Sequence, residues 1–198
     1  MPQLKHSEKI TLSLEDLERG LQFAKNTLRL AGKEILPLFR SNLDSENKIS
    51  VGYDPVTLAD KKSEALIREE IGKHYPQHGV FGEEEGYTEG NGLTWVIDPI
   101  DGTRGFMAGM LHWGMLLALF DGETPVLGVA YQPYSEELFY GFSNSSWLQR
   151  ADEKEILLKT SSCVDLELAF LGSTEESLFD GALKEKFNKL RNTVRVCR

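Results

Sequence analysis

The chain has 198 residues, 40% of them hydrophobic and 27% charged, with a formal net charge of -9. That length builds one well-buried domain more readily than two, and the composition is that of a soluble globular protein. The acidic excess argues against a nucleic-acid or anionic-membrane surface, since both need clustered Lys and Arg. It leaves a phosphorylated substrate open, because divalent cations invert the sign of a site built from carboxylates. Two cysteines, Cys163 and Cys197, form neither a disulfide framework nor a zinc spacing, which fits a reducing, cytoplasmic compartment. Met1–Ile10 lacks the apolar core of a signal segment, and the longest apolar stretch, Met115–Phe120, is too short to span a bilayer.

In chain order, Ser13 with Asp16 three residues on has the form of a capping box. Leu14, Leu17, Leu21, Ala24, Leu28, Ala31, Ile35 and Leu38 then recur at spacings of three and four, which predicts an amphipathic helix. The same stripe could seam a coiled coil, but the flanking positions lack complementary charges, so a long helix laid on a sheet is the better reading. Ser41–Tyr53 is polar and turn-rich. A second helix is expected from Thr57, with Asp60 in its first turn, to His74, where Tyr75-Pro76 stops it.

Short strands follow. Val80-Phe81 enters the acidic run Gly82-Glu83-Glu84-Glu85-Gly86, and Thr94–Ile97 is an apolar strand ending at Asp98. Leu111–Phe120 and Val126–Gln132 flank Asp121-Gly122-Glu123-Thr124-Pro125 as a hairpin, and Glu137–Phe142 and Ser146–Gln149 continue as a meander. Leu166–Leu171 reads as a strand, about Glu175 to Leu190 as a helix, and Thr193–Cys197 as a last strand. Helices, antiparallel strands and then helix and strand predict an α+β layered domain over residues 1–160, with residues 161–198 beginning an α/β domain. The chain stops at Arg198 without a polar tail, so the expectation is an incomplete second half and an open strand edge there.

The chemistry concentrates in Trp95-Val96-Ile97-Asp98-Pro99-Ile100-Asp101-Gly102-Thr103-Arg104-Gly105-Phe106. A buried strand delivers Asp98, Pro99 forbids further ladder pairing, and the chain turns through Asp101 and Gly102 into a helix at Thr103. Two carboxylates three residues apart on a tight turn can converge on hard cations, and the backbone N–H groups of Gly102 and Thr103 at a helix start can cradle a phosphate. Read alone, an Asp-x-x-Asp turn is more often a helix cap. Asp54-Pro55-Val56-Thr57-Leu58-Ala59-Asp60 alone is equally a capping stretch, and Gly82-Glu83-Glu84 alone a solvated loop.

Together and in order, Asp-Pro-Ile-Asp-Gly-Thr, Asp-x-Val-Thr-x-x-Asp and Gly-Glu-Glu resemble the motifs of the inositol monophosphatase superfamily. The resemblance implies a layered sugar-phosphatase fold and a Mg²⁺-dependent, lithium-sensitive phosphomonoesterase. Glu83, Asp98 and the backbone carbonyl of Ile100 would hold one Mg²⁺; Asp98 and Asp101 would share a second, about 3.5–4 Å away as in two-metal sites. Thr103 and Asp60 would take the proton of the attacking water, making Asp60, Thr103 and Glu83 the catalytic set, with Gly102, Thr103 and Arg104 against the substrate. No Asp-x-Asp-x-Thr or Cys-x₅-Arg nucleophile loop occurs, so no phosphoenzyme is implied. Glu84 is expected to face solvent or to support the ligand beside it.

Thr103-Arg104-Gly105-Phe106, Trp113-Gly114 and Pro125–Pro133 look most like bacterial-type histidinol-phosphate phosphatases, so histidinol phosphate or inositol monophosphate is the implied small phosphorylated substrate. Arg104 reads equally well as a surface or ion-pairing residue. His74, His78 and His112 are expected to pack or cap, and Trp95, Phe106 and Trp113 to form core around the site. Family members continue through a half that supplies a Trp-Asp-x-Ala element, whose Asp completes the second metal site; this sequence has no Trp-Asp. The alternative to an enzyme is therefore a truncated, non-catalytic Mg²⁺- or phosphate-binding or regulatory module. As partners, a homodimer or pairing with the missing C-terminal part is expected, and neither nucleic acid nor membrane.

Overall fold

The computed structural model describes residues 9–41, 45–47, 55–151, 153–174 and 176–198. Residues 1–8 of the polar lead, Asp54 with most of the turn-rich stretch before it, and Glu175 at the expected helix start lie outside them. The chain divides after Leu158 into two compact units.

The first unit opens with α1 (Leu14–Ile35), closed by a single 3₁₀ turn at Leu36–Leu38 that contains Pro37. A short antiparallel pair, β1 (Ser45–Asn47) with β2 (Pro55–Thr57), leads into α2 (Leu58–His74). Next come β3 (Gly79–Gly82), β4 (Gly86–Thr88), β5 (Thr94–Asp101), the short helix α3 (Thr103–Met107), β6 (Gly114–Phe120), β7 (Pro125–Gln132), β8 (Glu137–Phe142), β9 (Ser145–Arg150) and β10 (Ile156–Leu157). β3 to β10 form one eight-stranded sheet in the order β10-β9-β8-β7-β6-β5-β3-β4. Its neighbours are antiparallel except for β3 and β5, which run parallel. That exception was not expected from the meander pattern. It arises because β4 folds back outside β3, leaving β3's inner edge to β5.

The Ser13–Asp16 capping box forms as read, with the Asp16 N–H donating to Ser13 Oγ at 3.1 Å and the Ser13 N–H to Asp16 Oδ2 at 3.3 Å. Leu21, Ala24, Leu28, Ala31 and Ile35 are buried, and the stripe meets β6, β7, β8 and α2 rather than another copy of itself. Gly32 lets the helix settle onto β7: an added Cβ would lie 2.7 Å from Tyr131 Cε1. Along the strands, Trp95, Ile97, Met115, Leu117, Leu119, Leu127, Val129, Tyr131, Leu138 and Tyr140 alternate inward against the two helices, as the two-residue period of a half-covered sheet requires.

Two boundaries move. β5 does not end at Asp98: it runs past Pro99 to Asp101, and a register shift between Asp98↔Leu116 and Asp101↔Gly114 absorbs the proline as a bulge. β6 starts at Gly114, not Leu111, because the backbone at His112 passes tightly over the preceding helix, α3. An added Cβ on Gly102 or Gly105 would lie 2.5 or 2.6 Å from the His112 carbonyl oxygen.

The second unit, Lys159–Arg198, holds a 3₁₀ turn at Leu166–Leu168, β11 (Phe170–Leu171), a second 3₁₀ turn at Glu176–Leu178, α4 (Gly181–Thr193) and β12 (Val196–Cys197), with β11 and β12 parallel. The expected strand over 166–171 is thus mostly a turn, and the last strand is two residues long because α4 runs on to Thr193, whose hydroxyl donates to the Lys189 carbonyl at 2.9 Å. α4 begins at Gly181, where φ is +45°, later than read.

Leu28→Ala removes a side chain with no solvent exposure from between α1 and the sheet. Urea unfolding should show a loss of about 2–5 kcal/mol, the range for truncating a buried leucine.

Candidate functional site

The acidic residues meet where β3, β5 and α2 come together. The parallel pairing places Gly82 opposite Ile97, so the residue after each, Glu83 and Asp98, leaves its strand side by side. β3 ends there because Gly86, at φ +74°, turns the chain back into β4. Beyond Asp98 the bulge at Pro99 swings Ile100 inward, 1% exposed, and leaves Asp101 at the surface. Gly102 then caps α3 at φ +86°, a left-handed conformation next to the His112 carbonyl that no larger residue could take there.

α2 contributes its first turn. Asp60, 1% exposed, is the third residue of the helix and closes the cap on Thr57. Its Oδ2 accepts the Thr57 hydroxyl at 2.6 Å and the Thr57 N–H at 2.8 Å. Its Oδ1 lies 3.2 Å from Thr103 Oγ1, which is also 3.1 Å from the Ile100 carbonyl oxygen, so the single Thr103 proton can go to either. Burial raises the Asp60 carboxyl above its ordinary range, opposed by the hydrogen bonds from Thr57, its own N–H and Thr103.

Asp98 is the group under most strain. Burial, the charges of Glu83 and Asp101, a hydrogen bond shared with Glu83, and the charge of Asp60 push its carboxyl up to about 7. Its Oδ1 is buried with no hydrogen-bond partner among the described residues. An unpaired buried carboxylate oxygen facing other carboxylates is unfavourable, and an all-oxygen set of this kind suits a hard cation. Among the described residues no three His, Cys, Asp or Glu side chains form a group able to hold a metal ion by themselves. The Ile100 carbonyl and water would have to complete any coordination shell, as hard cations allow.

The remaining expected residues fall around this cluster. Glu83 and Arg104 are exposed and Thr103 partly so. Phe106 and Trp113 are buried edge to face, ring centroids 4.8 Å apart, and Phe39 packs on both. His78 stacks on Tyr75 at 4.8 Å, and burial lowers its pKa. His74 lies 3.8 Å from Glu70 on α2, and His112 contributes its backbone to the crowding over Gly102. Asp98 also borders a shallow apolar groove on the sheet face away from the helices, lined by Val96, Leu116, Ala118, Ala130 and Phe139.

Two residues that the motifs did not flag belong here. Glu64 has no solvent exposure, and it accepts the backbone N–H groups of Glu84 at 2.7 Å and Glu85 at 3.0 Å. Arg68 donates to Glu64 at 2.8 Å. The signal was there: Asp60, Ser63 and Glu64 occupy the buried face of α2, where an ordinary amphipathic helix carries apolar residues.

An eight-stranded sheet with helices on one face, whose acids gather beside a parallel strand pair, defines an all-oxygen site on an α+β fold. The profile of the inositol monophosphatase family matches residues 16–197, and the chain belongs to that family of phosphatases. The chloroplastic bifunctional phosphatase IMPL2 of Arabidopsis thaliana is 29% identical over 198 residues, 98% of this chain and 56% of that protein. A histidinol-phosphatase of Chlorobaculum parvum is 39% identical over 129 residues, 63% of this chain and 46% of its own length. The structure of an inositol monophosphatase from Zymomonas mobilis superposes with a TM-score of 0.75 at 32% identity, covering 94% of this chain and 69% of that one. The chain spans about half the length of the curated relatives it matches.

Because the Asp98 carboxyl is raised from 3.8 to about 7, the folded state binds a proton there that the unfolded state has released. Its contribution to stability is present at low pH and is lost as pH rises through about 7. With a chelator present, Asp98→Asn should therefore gain stability relative to the unsubstituted chain between acid and neutral pH. Denaturant unfolding at both ends of that window checks this, and a pH-independent difference would contradict it.

Proposed function

We propose that this chain carries the metal and water side of a Mg²⁺-dependent phosphomonoesterase acting on a small phosphorylated metabolite, histidinol phosphate or inositol monophosphate. The observation that supports it most is the unpaired, buried Asp98 oxygen between Glu83 and Asp101, beside the Asp60–Thr103 pair. Glu83, Asp98, Asp101 and the Ile100 carbonyl would hold the cations. When bound, Mg²⁺ would supply a more acidic water and a positive charge against the phosphate and leaving oxygens.

The chain's own groups divide the remaining work. The Thr103 hydroxyl, donating its proton to Asp60 Oδ1, keeps an oxygen lone pair to accept a proton from water. Asp60, its basicity raised by burial and its position fixed by the Thr57 cap, stands behind Thr103 as the final acceptor. The backbone N–H groups of Gly102 and Thr103 at the start of α3 would receive the phosphate, and Arg104, exposed on the same turn, would meet a negative group. The substrate choice rests on this turn and on the relatives' names as histidinol- and inositol-phosphatases.

A second reading is a Mg²⁺- or phosphate-binding module without turnover. It is favoured by the acids among the described residues not forming a metal-holding group by themselves. For partners, self-association or pairing with a further polypeptide is proposed. In the second unit Val164 is 92% and Phe170 74% exposed, which is apolar surface that association would cover. No helix among the described residues is long and apolar enough to cross a membrane, and a cytoplasmic setting is proposed with it.

The test is inorganic phosphate released from histidinol phosphate and inositol monophosphate, with Mg²⁺ and with chelator. Mg²⁺-dependent release is expected, and Asp98→Asn should lower it by at least about a hundredfold, the order of loss when a charge-stabilising group is removed. Mg²⁺ binding with no release from either ester would contradict the enzyme reading and support the second.

A further inference from the structure

We infer that Glu64, backed by Arg68, is a positioning residue for Glu83, and that it sets the cation affinity of the site without touching the cation. The inference rests on the metal-dependent reading above. Glu64 lies one helical turn beyond Asp60 on α2 and is fully buried. Its two oxygens are used on one short stretch of chain: Oε2 accepts the Glu84 N–H at 2.7 Å, and Oε1 accepts the Glu85 N–H at 3.0 Å. Arg68, four residues further along the same helix face, donates Nε to Oε1 at 2.8 Å and Nη2 to the Gly86 carbonyl. Its Nε also lies 3.5 Å from Glu85 Oε2.

Three consecutive residues of the β3–β4 turn are therefore gripped from α2, and all three follow Glu83 directly. The Glu84 N–H belongs to the peptide that joins Glu83 to Glu84. Fixing that peptide fixes the direction in which Glu83 leaves the backbone. On the other side the Gly82↔Ile97 register holds Glu83 beside Asp98. Glu83 is thus held from both flanks although the residue itself is exposed.

The sequence makes room for this grip at Gly82. A Cβ there would lie 2.0 Å from Glu64 Oε1 and 2.3 Å from Cδ, so the buried carboxylate fills the space a side chain would take. Gly82 is needed for that closeness of approach, since it is not among the residues with positive φ. Charge supports the same role. A buried carboxylate near Glu83 and Asp98 would repel both unless paired, and Arg68, with its side chain 14% exposed, supplies the compensating charge locally. Groups that orient a ligand in this way govern affinity almost as strongly as the ligands.

Glu64→Gln keeps the shape but loses the charge and sets an amide NH₂ among N–H donors. Calorimetric titration with Mg²⁺ and with Mn²⁺ should show affinity weakened about 10- to 100-fold, the usual cost of losing a group that orients a ligand. Amide exchange at Glu84 and Glu85 should accelerate in the same variant. Arg68→Lys, which keeps the charge but loses the second donor to Gly86, should weaken binding less, and it carries the test if Glu64→Gln does not fold.

Asp121→Asn is the control. Asp121 is 1% exposed and accepts two backbone N–H groups, of Glu123 at 3.0 Å and Thr124 at 2.9 Å, in the β6–β7 turn. It should lower stability and leave Mg²⁺ affinity unchanged. Unchanged affinity in the folded Glu64 and Arg68 variants, or an equal loss in Asp121→Asn, would overturn the inference while leaving the metal reading intact. If the unsubstituted chain binds neither ion, the metal reading falls and the inference falls with it.

Discussion

One carboxylate joins the two parts of the chain on which the site depends. Asp60 spends one oxygen on the Thr57 cap that starts α2 and the other on Thr103, 43 residues away, where the β5 bulge turns into α3. The helix start and the strand end are thereby fixed to each other through a side chain with 1% exposure. A neutral residue of the same shape could cap the helix. It could not both accept from Thr57 and stand ready to accept from Thr103, and that double use is what gives a buried acid a purpose here.

Topology does the rest. In a sheet that is otherwise antiparallel, β3 and β5 run parallel, so two chain segments leave the same end of adjacent strands together. Glu83 and Asp98 are neighbours for that reason, and Pro99 follows at once with a bulge that redirects the Ile100 carbonyl and Asp101. The outcome is that burial, together with the like charges of Glu83 and Asp101, raises Asp98 to about 7. Folding energy is held there in unfavourable electrostatics, as is common at functional positions. The buried polar face of α2, from Asp60 through Glu64 to Arg68, is part of the same arrangement: the helix gives up apolar contacts in its first half and keeps them at Ile67 and Ile71.

Much of this was legible in the sequence because local rules and long-range structure agree. The Ser13 and Thr57 caps, the α1 stripe from Leu21 to Ile35 and the β6–β7 hairpin each follow from spacing and turn chemistry, and each forms. The acidic residues could be named because their motifs are dense and ordered. What could not be read is whatever pairing decides. Nothing in Val80–Gly82 says that its partner is β5 and that the pair is parallel. Pro99 looked like a strand end because its missing N–H forbids one ladder bond, yet a bulge accommodates it and the pairing resumes at Asp101. Leu166–Leu168 has strand-like composition but closes a 3₁₀ turn. The spacing of Asp60, Ser63 and Glu64 with Ile67 and Ile71 puts Glu64 on the inward face of α2, but what it grips is decided by the β3–β4 turn lying against it.

The central proposal is that Glu83, Asp98, Asp101 and the Ile100 carbonyl would hold a divalent cation. Crystals soaked in Mn²⁺ and measured at its absorption edge test this most directly, because the anomalous signal locates the ion without reference to activity. The account predicts a peak bounded by those four oxygen donors, absent in Asp98→Asn. A well-occupied peak elsewhere with none at this cluster would contradict it.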